Sequence, residues 1–363
     1  MRVNQGLILI EGQGSEPGAP ARDLSARDLP RPMLEVAGRP FIEHVIAQLA
    51  RFGVRDIVLV ADHPKVRSRY DGARMFGADV SVLDAAGVNA ERLEEICFIA
   101  NGDVFFDADL LPLIHASRQP HWTASALLPK SGSTPGVYLA RRDALLGTAQ
   151  PGALGQAALA RLVATPIHAD GYFADIATPQ GLHTAQAELA ARRTRPTAFL
   201  DRDGTINVDR GWTHRAEDLV WIDNAPAAVR LLNRAGYYVV VVTNQGGVAR
   251  GFYDEAAIDR LHEHMQSHLI AAGAHIDAFY HCPHHPEGVV KPFAIECLCR
   301  KPGIGMLEQA ARDWPIERAR SFMVGDRDGD MEAAAAFQIP GLRFDLQTQS
   351  LLDLISRQLA EKT

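Results

Sequence analysis

The apolar run TAFL stops abruptly at Asp201, and the same event recurs where YYVVVV stops at Thr243-Asn244 and where SFMVG stops at Asp326. Runs this short fit strands, and segments with helical periodicity separate them. One helix is predicted near Ala225–Ala235, one after a capping Asp254 with Ile258, Leu261, Met265 and Leu269 on one face, one from about Gly305, and one over about Asp328–Phe337. Strands that alternate with helices bury their surfaces best in a parallel sheet covered on both sides, and ligands of such sheets sit beyond the carboxyl ends of the strands. The pattern therefore predicts an α/β fold whose polar strand ends meet at one site.

The first half shows the same alternation. An apolar strand (Leu7 to Ile10) leads into a Gly/Pro/Ser/Asp-rich loop that reaches Pro32. A helix follows from Pro40 to Phe52, then the strand DIVLV at Asp56–Val60, a strand ICFIA running into Asn101-Gly102-Asp103, and a helix after Thr178-Pro179. At 363 residues the chain is long enough for two such domains. The expected division is 1–190, an Ala- and Arg-rich linker at 191–196, and 197–363. Each domain is expected to be Rossmann-like and three-layered, with a parallel sheet in both. No stretch has the length of a membrane span or of a signal-peptide core, so the expected setting is the cytoplasm. A formal net charge of −7 leaves no electrostatic footprint for nucleic acid or an anionic membrane.

The strand ends of the second half carry a definite chemistry. Hydrolysis of a phosphate monoester requires an in-line nucleophile, a cation for the spreading negative charge, and an acid for the departing alkoxide. Asp201 can serve as nucleophile and Asp203 as acid. Asp201 and Asp326 can hold Mg²⁺, which prefers a few carboxylates with water and phosphate oxygens. Lys301 and Thr243 can contact the transferred phosphoryl group.

DRDGTINV, VVTNQGG, CRKP and VGDRDGDM resemble, in order and spacing, the four motifs of the haloacid dehalogenase superfamily. From about residue 197 to 345 the chain resembles its D-glycero-D-manno-heptose 1,7-bisphosphate phosphatases, relatives of the histidinol phosphatases. The resemblance implies that Asp201 forms an aspartyl-phosphate, that Asp203 acts as general acid and then base, and that the Asp203 carbonyl also ligates Mg²⁺. It places substrate contacts at Asp209, Arg210, Gly211 and Trp212, at Thr243, Asn244, Gln245 and Gly246, at Arg300 and Lys301, and at Arg327. Asp330 completes the last acidic motif as support for the site. A phosphorylated sugar is the implied substrate, with histidinol phosphate as the alternative. No large cap insertion separates the motifs.

Cys282-x-His284 and Cys297-x-Cys299 offer three thiolates and an imidazole, a closed tetrahedral set for structural Zn²⁺. Clustered cysteines in a reducing compartment point to metal before disulfide. Such a site would pin the long loop CPHHPEGVVKPFAIECLC so that Arg300 and Lys301 face the active site. His281 and His285 are competing neighbours, and the Cys-x-His order of the resembled family favours His284. Cys97 lies in an apolar strand and reads as a core residue.

LPRPMLEVAGRPFIEHVIAQLARFGVRDIVLV, FIANGDVFF and GYFADIATP resemble the sugar-1-phosphate nucleotidyltransferases over residues 1 to about 190. Asp103 and Asp175 match that family's two metal-binding acids. The departures fall at the triphosphate: the loop reads Glu11-Gly12-Gln13-Gly14-Ser15-Glu16, with glutamate replacing a glycine and an arginine, and Arg31 stands at the lysine position. Carboxylates beside a triphosphate repel it. Three readings remain open for this half: an active transferase that would make the chain bifunctional, a degenerate domain kept for sugar-phosphate binding or for assembly with another enzyme of the pathway, and strand-end carboxylates without a role.

Overall fold

The structure, a computed structural model, describes residues 3–10, 29–130, 135–148 and 154–361. Its contacts divide the chain into a unit from Met1 to Arg193 and a unit from Thr194 to Thr363. The helix Pro179–Arg193 runs into the stretch 191–196 read from sequence as linker, and the strand Thr197–Leu200 begins directly after it.

In the second unit, five strands form one sheet in the spatial order Ala278–Cys282, Tyr238–Asn244, Thr197–Leu200, Phe322–Gly325, Gly341–Arg343. Every neighbouring pair is parallel. The interior strands are buried on both faces, so they are continuously apolar rather than alternating, and each Val or Phe so covered contributes about 1.5–3 kcal/mol. The helices Ala225–Arg234, Glu255–Ala271, Gly305–Asp313, Asp328–Ala336 and Leu351–Glu361 complete the unit. Val229 and Leu232, Leu261 and Met265, and Leu351 and Ile355 close one core with Val239 and Val241. Asp254 caps its helix as its sequence context predicts, its carboxylate accepting from the Ala257 amide at 2.8 Å.

Because Thr197–Leu200 lies between the second strand and the fourth in chain order, successive connections leave it on opposite sides. The crevice at this switch of direction opens beyond the carboxyl end of the central strand. Asp201, Thr243 and Asp326 are all delivered to that rim. No helical or sheet domain interrupts the described residues between Leu200 and the helix at Ala225, where a single 3-10 turn, Ala216–Asp218, is found.

The first unit corrects one expectation. Its eight-stranded sheet is mixed, with Gln5–Leu9, Asp56–Val60, Ala78–Leu83 and Ile96–Asn101 parallel and Val137–Arg141 antiparallel to both of its neighbours, Ile96–Asn101 and Ala124–Pro129. Among the described residues no crossover helix lies between Ala124–Pro129 and Val137–Arg141, and at seven residues the connection is shorter than the dozen or so that a parallel crossover needs. A second, two-stranded sheet pairs Val104–Ala108 with Gly171–Asp175. This pairing sets Asp175 opposite Val104, next to Asp103. Cys97 is fully buried in the sheet core, where burial pushes its thiol up to about 12. Among the described residues no helix is long and apolar enough to cross a membrane.

Candidate active site

The strand ends and loops of the second unit enclose a cleft of about 460 Å³. Asp201 and Asp203 line it with Asp209, Gly211 and Trp212, the stretch Thr243–Gly246, and Arg300, Lys301, Arg327 and Asp330. Arg210 is exposed and is not part of the lining.

Lys301 organises the floor. Its buried ammonium lies 2.7 Å from Asp201 Oδ1 and 2.7 Å from Asp330 Oδ1, and it donates to the Val242 carbonyl at 2.7 Å. Its backbone is clamped by Asn244, which accepts from the Lys301 amide at 2.9 Å and donates to its carbonyl at 3.0 Å. The other Asp330 oxygen accepts from the Arg327 amide at 3.0 Å. Burial opposes the charge on Lys301, but the Asp201 and Asp330 carboxylates more than offset this and hold its pKa above the ordinary value. The pKa of Asp201 is raised too, but here the shift favours the neutral form. Burial, then the Asp330 and Asp203 charges, push it up to about 7 against the pull of Lys301.

Asp201, Asp326 and Asp330 each offer an oxygen within 4.8 Å of the others. Asp326 Oδ1 is buried and has no hydrogen-bond partner, and burial raises this carboxyl's pKa. Three converging carboxylates thus outnumber the one buried ammonium beside them, a charge deficit that a divalent cation fits. Gly204 makes the approach possible. It has φ of +87°, and a Cβ there would come within 2.4 Å of Asp326 Oδ2. Arg327 reaches across the mouth of the cleft to Asp209 at 2.8 Å.

Asp203 sits among donors that the motif spacing did not reveal. Its Oδ2 accepts from Arg202 at 2.7 Å and from Gln245 at 2.8 Å, while Oδ1 accepts from Asn207 at 2.9 Å and from Arg202 Nε at 3.2 Å. The Arg202 side chain is 0% exposed and also donates to the Thr213 carbonyl at 2.7 Å. Arg202 follows the Asp201 that ends the strand, and a polar residue in an otherwise apolar approach was the available signal. Tyr253, also absent from the sequence reading, donates to Gln245 at 2.8 Å.

The cysteine loop brings its four predicted ligands together. Cys299 Sγ lies 3.2 Å from Cys282 Sγ and 3.3 Å from Cys297 Sγ, Cys282 and Cys297 are 3.5 Å apart, and His284 Nδ1 is 3.3 Å from Cys299. These edges approach the ~3.8 Å between sulfurs of a tetrahedral thiolate zinc site. Hydrogen bonds from Cys282 first, then Cys297 and His284, hold the Cys299 thiol below its ordinary value. The alternative imidazoles are engaged elsewhere, His281 with Glu255 at 3.3 Å and His285 with Arg250 at 3.3 Å. The loop is tied back to the Thr243–Gly251 segment by the Val289 and Val290 amides, which donate to the Ala249 carbonyl at 2.7 and 2.9 Å.

A family model described as Polynucleotide kinase 3 phosphatase matches residues 197–346, and one described as MobA-like NTP transferase domain matches residues 6–170. Over 156 residues the chain is 47% identical to a D-glycero-beta-D-manno-heptose-1,7-bisphosphate 7-phosphatase from Rhodopseudomonas palustris, with 43% of this chain and 87% of that protein covered. The chain belongs to this phosphatase family. A member from Photorhabdus laumondii is 40% identical over 173 residues, covering 46% of this chain and 92% of its own length. A crystal structure of the B. bronchiseptica D,D-heptose 1.7-bisphosphate phosphatase, complexed with magnesium and phosphate, is 27% identical, covers 46% of this chain and 99% of that one, and has a TM-score of 0.39. Family membership makes the second unit a phosphoric monoester hydrolase.

In the first unit, Asp103 is buried, and its Oδ2 faces Arg31 at 3.5 Å. Arg31 also donates to the Ala177 carbonyl at 2.8 Å, just beyond Asp175. Asp175 is exposed and accepts from the Ala177 amide at 2.9 Å. Glu11 and Glu16 lie outside the described residues.

The raised pKa of Asp201 has a thermodynamic consequence. A carboxyl raised by folding stabilises the fold while protonated, and that contribution is lost as pH rises through the folded value of about 7. Chelator-treated protein should therefore melt at a lower temperature at pH 8 than at pH 6, and added Mg²⁺ should raise the melting temperature more at pH 8. A Mg²⁺ shift independent of pH across this interval would contradict the charge balance described.

Proposed function

We propose that the second unit hydrolyses the 7-phosphate of D-glycero-D-manno-heptose 1,7-bisphosphate, leaving the heptose 1-phosphate. The observation that carries this reading is the buried Lys301 ammonium bridging Asp201 and Asp330 at the floor of a cleft that Asp203 also lines. The names of the family members supply the sugar.

Asp201 is the nucleophile: its oxygen attacks phosphorus as the bond to the sugar oxygen breaks, giving an aspartyl-phosphate. Asp203 gives its proton to the departing sugar oxygen, then takes one from the water that cleaves the acyl-phosphate. Lys301 and Thr243 hold the transferred phosphoryl oxygens, and Lys301 stays charged throughout because two carboxylates flank it. Asp201, Asp326 and the Asp203 carbonyl would hold Mg²⁺, with Asp330 supporting Lys301, and the bound ion would offset charge spreading over the phosphoryl group. Asp209, Gly211, Trp212, Asn244, Gln245, Gly246, Arg300 and Arg327 are placed to contact the rest of the substrate. Arg210, pointing to solvent, is the least supported member of that set.

Cys282, His284, Cys297 and Cys299 would hold a structural Zn²⁺, since three sulfurs and one imidazole leave no position for water. Four cysteines free of disulfides suit a reducing cytoplasm. For the first unit we favour a sugar-phosphate-binding or assembly role over nucleotidyl transfer, because the Arg31 guanidinium already lies against Asp103, where a transferase would hold its metal.

Asp201→Asn should abolish phosphate release from the heptose bisphosphate while leaving the melting temperature near that of the wild type, because it removes the nucleophile and almost no volume. Wild-type turnover would end the covalent mechanism. Elemental analysis should find about one tightly held zinc per chain, and Cys297→Ser should lower both zinc content and stability; fully active protein without zinc would refute the structural role. Calorimetry with ATP, GTP and CTP in Mg²⁺ should give no affinity tighter than millimolar. Micromolar binding of any of them, with pyrophosphate released on addition of a sugar 1-phosphate, would make the chain bifunctional.

A further inference from the structure

Tyr253 belongs to no motif, yet it stands at the head of the hydrogen-bond chain that ends on Asp203. Its phenol is hydrogen-bonded by the Gly247 backbone and donates its own proton to Gln245 Oε1 at 2.8 Å. With its carbonyl oxygen committed to Tyr253, Gln245 can turn only its NH₂ group inward. That group donates to Asp203 Oδ2 at 2.8 Å and to Thr243 Oγ1 at 2.9 Å.

The tyrosine is itself fixed from two sides. A Cβ on Gly247 would come within 2.4 Å of the Tyr253 ring, so only glycine lets the ring lie this close. On another side His214 stacks on it, with centroids 4.5 Å apart and planes within 15°. His214 follows Thr213, whose carbonyl accepts from Arg202, the residue that grips Asp203 through both carboxylate oxygens. Burial pushes the phenol up to about 12, so it remains a proton donor throughout the working range of such an enzyme.

We propose that Tyr253 is a positioning residue for proton transfer: by fixing which way the Gln245 amide faces, it aims Asp203 at the leaving oxygen of the substrate. The inference rests on the assignment of Asp203 as general acid. Without the phenol proton the amide is free to turn over, and Gln245 Oε1 would then face Asp203 Oδ2, repelling the ionised carboxylate or drawing off the proton that the acid form holds for the sugar oxygen. The carboxyl would be pushed out of line with the scissile bond. Asp201 and Lys301 would stay in place, because none of their hydrogen bonds passes through Tyr253, and the Thr243 hydroxyl, which loses only a hydrogen bond it accepts from Gln245, keeps its own proton for the phosphoryl oxygen. The affected step is the one in which the phosphorus–sugar oxygen bond breaks, the Asp201–phosphorus bond forms, and the Asp203 proton passes to the sugar oxygen.

Leaving-group dependence separates this role from a merely structural one. An alkoxide needs that proton, whereas 2,4-dinitrophenolate departs without it. Tyr253→Phe, which deletes only the hydroxyl, should lower kcat for the heptose bisphosphate roughly tenfold with KM within about twofold, and leave the first-turnover burst of dinitrophenolate from 2,4-dinitrophenyl phosphate unchanged. Gln245→Ala should cost no more in combination with Tyr253→Phe than it does alone, since both act through one chain. Equal losses on both substrates, wild-type rates on both, or additive losses in the double variant would each overturn the proposal. Asp203→Asn distinguishes the two levels of failure. If it spares the burst but abolishes alkyl turnover while Tyr253→Phe is unselective, only the role of Tyr253 falls; if it affects both substrates alike, the acid assignment falls with it.

Discussion

The bridge from Lys301 to Asp201 and Asp330 is the contact on which the rest of the catalytic unit depends. Three carboxylates meet at the carboxyl end of a parallel sheet, in a setting where burial pushes the pKa of Asp201 and of Asp326 above the ordinary value. One ammonium, 2.7 Å from two of them, moderates that repulsion without removing it. Deleting the Lys301 ammonium would leave the buried carboxylates uncompensated, a kind of change that commonly costs about 3–5 kcal/mol, far more than such a pair contributes when intact. The floor of the cleft is therefore better understood as an electrostatic frame awaiting a cation than as a stabilising cluster.

The sheet topology explains why so few residues suffice. Connections leave Thr197–Leu200 in opposite directions, so the crevice forms without a separate domain to shape it, and each strand contributes its last polar side chain at no cost to the core. Gly204 then permits a close approach of the Asp326 carboxylate to the backbone beyond Asp201. Apolar strands fix the positions of the charges, and the charges carry the chemistry.

What the sequence disclosed and what it hid follow the same division. Asp201, Thr243, Asn244, Asp326 and Lys301 were legible because each ends an apolar run or opens a helical segment, and backbone geometry alone determines where such residues go. Arg202, Asn207 and Tyr253 were not, because their importance lies in side-chain hydrogen bonds, some to near neighbours such as Asp203 and one from Arg202 to His262, 60 residues on. Periodicity carries no information about such pairs. The mixed sheet of the first unit was hidden for a different reason: strands of five or six residues read the same whichever way they run, and only the length of the connection between them carries the sign.

Arg300 and Lys301 are adjacent in the chain but are held by different means, and this bears on what the cysteine cluster is for. Lys301 is fixed three times over, by the Asn244 clamp on its backbone, by the Val242 carbonyl and by two carboxylates. Arg300 donates to the carbonyl of His284 at 3.3 Å and lies over Gly246, where a Cβ would come within 3.2 Å of its guanidinium. His284 is itself one of the four clustered ligands, and Cys299 directly precedes Arg300. A metal in that cluster would thus add little to Lys301, which the sheet already holds, and would act chiefly on Arg300 at the rim. Such a metal would tune how Arg300 is held at the rim, while the floor of the cleft is built from the sheet itself.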